Sequence, residues 1–326
     1  MYLVEGEPLQ AALTEKVKTL LAECGLVWDA SARYTAVMME GDEAVATGSL
    51  DGNVVKCVAV SPAHQGEDLT ARIVTALTQH AMQQGIKHLM LYTKPRNQYL
   101  FAPLGFHPVV RTADVLLMEN HPTGLADFLA ALPRPATENG PVGCIVAHGN
   151  PFTLGHRYLV ETAAAQCAQV YLFILSEDRG TFPAETRLAM AKAACSDLPN
   201  VFVCPTGPYM VSAATFPTYF LKDQARAGEV YSEADVRLFG EKIAPALGIT
   251  RRYVGTEPLC PVTAQYNAAM KQLLPRCGIE LIEVERKAIA GEAVSASRVR
   301  ALLTEGREAE LTSLLPDSTL ALLRHT

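Results

Sequence analysis

Cys144-Ile145-Val146-Ala147-His148-Gly149-Asn150-Pro151-Phe152-Thr153-Leu154-Gly155-His156-Arg157-Tyr158-Leu159-Val160 is the stretch on which the fold turns. Residues 142–146 form a short apolar run that reads as a buried strand. Gly149-Asn150-Pro151 breaks it, and from about Leu154 apolar residues recur at helix spacing. A strand, a glycine turn and a helix N-terminus in succession create an anion site. The first N–H groups of a helix have no partner within it, and its dipole is positive at that end. Gly155 brings no Cβ into the first turn, and His156 lies within reach of an anion there.

Bulk properties narrow the classes. The chain has 326 residues, net charge −6 and 49% apolar residues, with a mean hydropathy of +0.12. That length predicts two domains. No apolar run is long enough to span a membrane, and the start carries no signal-peptide pattern. The eight cysteines contain no Cys-x-x-Cys pair and no zinc-type spacing. They read as buried, reduced thiols of a cytoplasmic protein. The acidic balance argues against a nucleic-acid binder. Residues 1–140 carry 10 Lys and Arg against 15 Asp and Glu, and residues 141–326 carry 18 against 19. Most of the later cations are arginine, which suits bidentate phosphate contacts.

In the first half, an amphipathic helix is expected over 9–24, a hairpin over 33–51, a strand over 54–61, a helix over 69–84 closed by Gly85, and strands over 88–93 and 115–119. Two fragments resemble the GNAT (Gcn5-related) acyltransferase fold. Val58-Ala59-Val60-Ser61-Pro62-Ala63-His64-Gln65-Gly66-Glu67-Asp68-Leu69 resembles its strand-loop-helix around the CoA pyrophosphate. Tyr99-Leu100-Phe101-Ala102-Pro103-Leu104-Gly105-Phe106 resembles its C-terminal helix and bulge. Asp68 stands where that loop has its second glycine, either repelling a pyrophosphate or capping the next helix. Tyr99 reads as a core residue rather than a catalytic acid.

The Pro- and Gly-rich residues 133–141 mark a boundary, giving a GNAT-like α+β domain over 1–135 and a second domain over 141–326. In the second, strands at 170–175, 201–205, 252–255 and 279–284 alternate with helices at 183–196, 215–226, 233–246 and 263–274. That order predicts an α/β fold with a Rossmann-like parallel sheet and its ligand at the C-terminal strand ends. A second phosphate candidate, Ser295-Ala296-Ser297-Arg298-Val299-Arg300, opens a helix with two hydroxyls and two arginines. Arg187, Lys222 and Gly255-Thr256-Glu257 are further polar candidates between the two motifs.

Thr153-Leu154-Gly155-His156 and Ser295-x-Ser297-x-x-Arg300 resemble the signatures of the nucleotidyltransferase superfamily. With Ala214-Thr215-Phe216-Pro217-Thr218-Tyr219-Phe220-Leu221-Lys222 and Tyr253-Val254-Gly255-Thr256-Glu257-Pro258, nearly the full chain resembles the citrate (pro-3S)-lyase ligase family. The resemblance implies a cytoplasmic, AMP-forming acid–thiol ligase using ATP, Mg²⁺ and acetate. Its partner would be the citrate lyase acyl-carrier subunit with a CoA-like prosthetic group, and neither nucleic acid nor membrane is implied. It assigns His156, Thr153 and Arg298 to catalysis. Asn150, Pro151, Phe152, Gly155, Gly255, Thr256, Glu257, Ser295 and Ser297 would surround the nucleotide, with no protein metal ligand. Rival readings are a nucleotidyltransferase releasing a free nucleotide product, an acetyltransferase using acetyl-CoA, and a nucleotide-sensing regulator.

Overall fold

The computed structural model describes all residues except 135–139, 213–214, 222, 258–259 and 325–326. Two compact units emerge: Met1–Asp127 with Phe216–Ala234, and Phe128–Thr215 with Asp235–Thr326. The division therefore differs from the contiguous one expected at residues 135–141, because a later segment returns to the first unit.

The first unit is a seven-stranded sheet built from β1 (Tyr2–Gly6), β2 (Tyr34–Glu40), β3 (Glu43–Asp51), β4 (Val54–Val60), β5 (Met90–Thr93), β6 (His107–Arg111) and β7 (Leu116–Glu119), in the order β1-β2-β3-β4-β5-β7-β6. Neighbours are antiparallel except β4 and β5, which pair in parallel at Val54–Met90 and Val55–Leu91. The Leu69–Gln83 helix buries Leu69, Ile73, Val74, Ala76, Leu77 and Ala81, one apolar face at helix period, in one core with Ala36, Met38, Leu50 and Leu91 of the sheet. Asp68 precedes that helix at φ 55° and makes no side-chain cap hydrogen bond. It thus keeps a glycine-like backbone conformation without the capping role.

Among the described residues, the helix expected at 215–226 is absent apart from a 3₁₀ turn at Gln224–Arg226. Pro217 has no N–H to give a helix, and the apolar residues around it find partners in the first unit. Val27 N–H donates to the Tyr219 carbonyl at 2.9 Å, and the Tyr219 hydroxyl donates to the Tyr92 carbonyl at 2.9 Å. Phe216 meets the Tyr92 ring edge-on at 5.3 Å.

The second unit holds five parallel strands, β8 (Val142–Ala147), β9 (Gln169–Ile174), β10 (Val201–Pro205), β11 (Arg251–Gly255) and β12 (Glu280–Val284), in the order β10-β9-β8-β11-β12. All six residues of β9 are buried, as a strand covered on both faces requires. The strand order reverses between β8 and β11, and in such sheets the crevice at that reversal, beyond the carboxyl ends, receives the ligand. The Leu154–Gln166 helix follows β8 at this point. Among the described residues, no helix is long and apolar enough to cross a membrane. The cysteines there are all free thiols, five of them buried, but Cys260 and Cys277 are exposed.

Candidate active site at the carboxyl end of the parallel sheet

Beyond β8 the turn ends on Thr153, extended at φ −106° and ψ 170°, which caps the Leu154–Gln166 helix. Its Oγ1 accepts from His156 N–H at 3.4 Å, and its own N–H donates to His156 Nδ1 at 3.0 Å. The two bonds form a reciprocal capping box. Because a backbone N–H can only donate, Nδ1 must present its lone pair, which leaves the ring proton on Nε2. Burial, the Arg286 cation and His148 together push the His156 pKa down to about 4. His156 is therefore a neutral Nε2–H donor at pH 7, steadied by the Phe152 ring stacked 5.2 Å away.

The second motif comes to the same place. Ser295 caps the Ala296–Thr304 helix, its Oγ accepting from Arg298 N–H at 3.2 Å. Arg300 donates to the Asn150 carbonyl at 2.6 Å and to Ser297 Oγ at 3.1 Å. One guanidinium thus joins the turn after β8 to the second helix N-terminus. Gly155 is part of the same junction: a Cβ there would stand 3.0 Å from the Val294 carbonyl oxygen. Its missing side chain lets the segment that delivers Ser295 pack against the first helical turn. Two helix N-termini, a neutral imidazole donor and an arginine lie together, a donor set suited to a polyphosphate.

Comparison with known proteins is decisive at this point. The citrate lyase ligase C-terminal domain family matches residues 142–323, and the acetyltransferase (GNAT) family matches residues 9–106. The citrate (pro-3S)-lyase ligase of Klebsiella pneumoniae is 39% identical over 314 residues, covering 95% of this chain and 92% of that protein. Its counterpart in Escherichia coli K12 is 38% identical over 316 residues, covering 95% and 90%. That of Haemophilus influenzae is 38% identical over 318 residues, covering 94% of each.

The chain belongs to the citrate lyase ligase family. It is an enzyme of the citrate (pro-3S)-lyase ligase type, with a GNAT-like unit and a parallel-sheet unit.

Within this family member, the residues expected around the nucleotide occupy different kinds of position. Asn150, Pro151 and Phe152 are buried, and Asn150 Oδ1 accepts from Phe182 N–H at 3.0 Å. Their side chains brace the turn. Gly255, Thr256 and Glu257 lie at the carboxyl end of β11, where the Thr256 carbonyl accepts from Arg286 Nε at 2.7 Å and the Glu257 carboxylate pairs with the same guanidinium. They hold Arg286, whose charge reaches His156. Arg298 is partly exposed and pairs with Glu292 at 2.5 Å.

Arg187 departs from the expectation of a nucleotide-lining or solvent-facing residue, because it is completely buried. It donates to the carbonyls of Phe182 at 3.1 Å, and of His148 and Leu175 at 2.8 Å each, and also to Glu177. It is a clamp on three loops. Lys222, Ala214 and Pro258 lie outside the described residues. Sequence reasoning missed His148, Arg286 and the bridging role of Arg300. His148 stands inside the quoted motif, directly after the strand, and that position was the available signal.

In the first unit, Val58, Ala59, Val60, Gln65, Gly66 and Tyr99 help line a cavity of about 670 Å³. Tyr99 is 72% exposed, not a core residue: the short Gln98–Phe101 helix turns Phe101 inward instead. An adjoining space of about 320 Å³ is lined by Val58–Val60 on one side and by Tyr219 and Phe220 on another.

Proposed function

We propose that this ligase joins acetate to the α-phosphate of ATP, forming acetyl-adenylate and diphosphate. It then transfers the acetyl group to the thiol of the CoA-like prosthetic group on the citrate lyase acyl-carrier subunit, releasing AMP. The observation that carries this reading is the Arg300 bridge between the Asn150 turn and Ser297. The close family membership supplies the reaction type.

In the first step a carboxylate oxygen of acetate attacks the α-phosphorus and the bond to diphosphate breaks. A carboxylate needs no base, so the site's task is alignment and neutralisation of charge on the phosphate oxygens. His156 would donate its Nε2–H to the α- and β-phosphates, with the turn's N–H groups beside it. Thr153 fixes the tautomer that makes this possible. Ser295, Ser297, Arg298 and Arg300 would serve the leaving diphosphate. Among the described residues no group of three or more His, Cys, Asp or Glu side chains could hold a metal. Magnesium in this reading is carried by the triphosphate, whose charge it neutralises. In the second step the thiol sulfur attacks the acetyl carbon, the bond to AMP breaks, and the thiol proton departs.

Removing one charge-stabilising donor costs about 3 kcal/mol of barrier, so His156→Ala is expected to slow adenylate formation about 100-fold or more. Product analysis tests the reading. AMP and diphosphate in equal amounts, with acetylated carrier, support it. A stable nucleotide-containing small-molecule product would favour the free-product nucleotidyltransferase instead.

The cavity in the first unit supports a second element of the proposal, that it holds the carrier's prosthetic arm. Gln65 and Gly66 line one part of it, while Tyr219 and Phe220 line the adjoining space. Filling it with Leu100→Trp is expected to raise KM for the carrier and leave acetate-dependent adenylation unchanged. An unchanged carrier KM would remove the arm-holding role.

A further inference from the structure

A second polar cluster lies beside the turn that carries the phosphate site. Arg187 gathers the carbonyls of His148, Leu175 and Glu177, which bring the ends of β8 and β9 together. The Glu177 carboxylate accepts from Ser212 N–H at 3.1 Å and from the Thr215 hydroxyl. Ser212 is thereby tied to the same clamp. Within this cluster two buried polar atoms have no hydrogen-bond partner: His148 Nε2 and Ser212 Oγ. The other such atoms among the described residues are scattered singly, on His64, Gln169, Arg252 and Thr319.

Buried polar atoms are as a rule paired, so two orphans held by one clamp mark a place where a polar ligand is received. Both groups can donate a hydrogen bond. Two cations and one carboxylate act on His148: burial first, then Arg187, hold it below its usual pKa, Glu177 pulls the other way, and Arg300 adds a smaller downward push. One oxygen of Glu177, Oε2, accepts from both the Ser212 amide and the Thr215 hydroxyl. Two donors beside the Arg187 and Arg300 cations match a small anion with two acceptor oxygens. His148 also lies two residues before Asn150, whose carbonyl carries Arg300, so this subsite shares a turn with the phosphate site.

We propose that His148 and Ser212 form the subsite for the small carboxylate that attacks the α-phosphorus, each donating to one of its oxygens. The proposal rests on the adenylation reading above and names the residues that would select acetate.

The test uses the full-length protein with His148→Leu, His148→Asn and Ser212→Ala. Acetate-dependent exchange of labelled diphosphate into ATP gives KM for acetate, and calorimetry with a non-hydrolysable ATP analogue gives nucleotide affinity. His148→Leu and Ser212→Ala should each raise the acetate KM at least tenfold while nucleotide affinity stays within twofold. His148→Asn, which keeps an N–H donor, should recover much of the loss. Acetate KM values within twofold of the unmodified protein, or nucleotide affinity falling in step, would overturn the assignment. If the unmodified protein shows no acetate-dependent exchange, adenylation itself has failed. Saturation-transfer NMR with acetate then decides the subsite separately: a signal lost in His148→Leu and Ser212→Ala supports it, and an unchanged signal refutes it. Should His148→Leu be insoluble, Ser212→Ala and His148→Asn carry the same measurements.

Discussion

Replacing His156 with Gln tests whether the imidazole is neutral in the folded protein. Its folded pKa lies at about 4, against about 6.5 for an unperturbed histidine. Between those values the unfolded chain binds a proton that the native protein does not. Stability from this group is therefore complete above pH 6.5 and falls as pH drops towards 4. At pH 4.5 the gap of two pKa units corresponds to about 2–3 kcal/mol. The Gln variant has no such proton, so its stability deficit relative to the unmodified protein should shrink by that amount between pH 7 and pH 4.5. The single tryptophan, Trp28, belongs to the first unit, so its fluorescence does not report this event. Hydrogen exchange along the Leu154–Gln166 helix in both proteins does. A deficit that stays constant over this range would refute the neutral, Nε2-protonated His156 on which the phosphate contact depends.

Arg300→Met removes two charge-assisted hydrogen bonds, to Asn150 and Ser297. At about 1.5–3 kcal/mol for such a bond, KM for ATP should rise about 10- to 100-fold, measured by steady-state kinetics. Gly155→Val drives a branched Cβ against the Val294 carbonyl, 3.0 Å from the nearest placement. Overpacking there should cost about 1–3 kcal/mol in calorimetric unfolding, with activity falling further because Ser295 is displaced. Lys56 is 2% exposed and lies 3.0 Å from Asp29 and 2.9 Å from Asp51. Lys56→Met leaves two half-buried carboxylates without this cation and should destabilise the first unit by up to about 3 kcal/mol, which Trp28 fluorescence in urea would show.

What the sequence disclosed and what it concealed follow from the range of the interactions. The strand-turn-helix at 142–166 was legible because its apolar run, break, cap and helix period are all local. The Ser295–Arg300 helix start was legible for the same reason. The fate of residues 216–221 was not. Their apolar spacing fits a helix, but Tyr219 bonds to Val27 and Tyr92, partners that lie far away in sequence. Arg187 has the composition of a surface helix residue, and only the convergence of three loops explains its burial. The sequence shows that Gly155 brings no Cβ into the first helical turn, but not that the neighbour needing this space is the Val294 carbonyl. His148 sits in the motif directly after the strand, but Arg286 belongs to no spacing pattern, so only the folded chain reveals it beside His156.

The account depends on the Thr153–His156 turn and the Ser295–Arg300 helix start acting on a single triphosphate. Exchange of labelled diphosphate into ATP, followed with and without acetate and without the partner protein, tests this most directly. Exchange that requires acetate and collapses in both His156→Ala and Arg300→Met is the predicted result. Near-full exchange in either variant, or no acetate-dependent exchange in the unmodified enzyme, would contradict it.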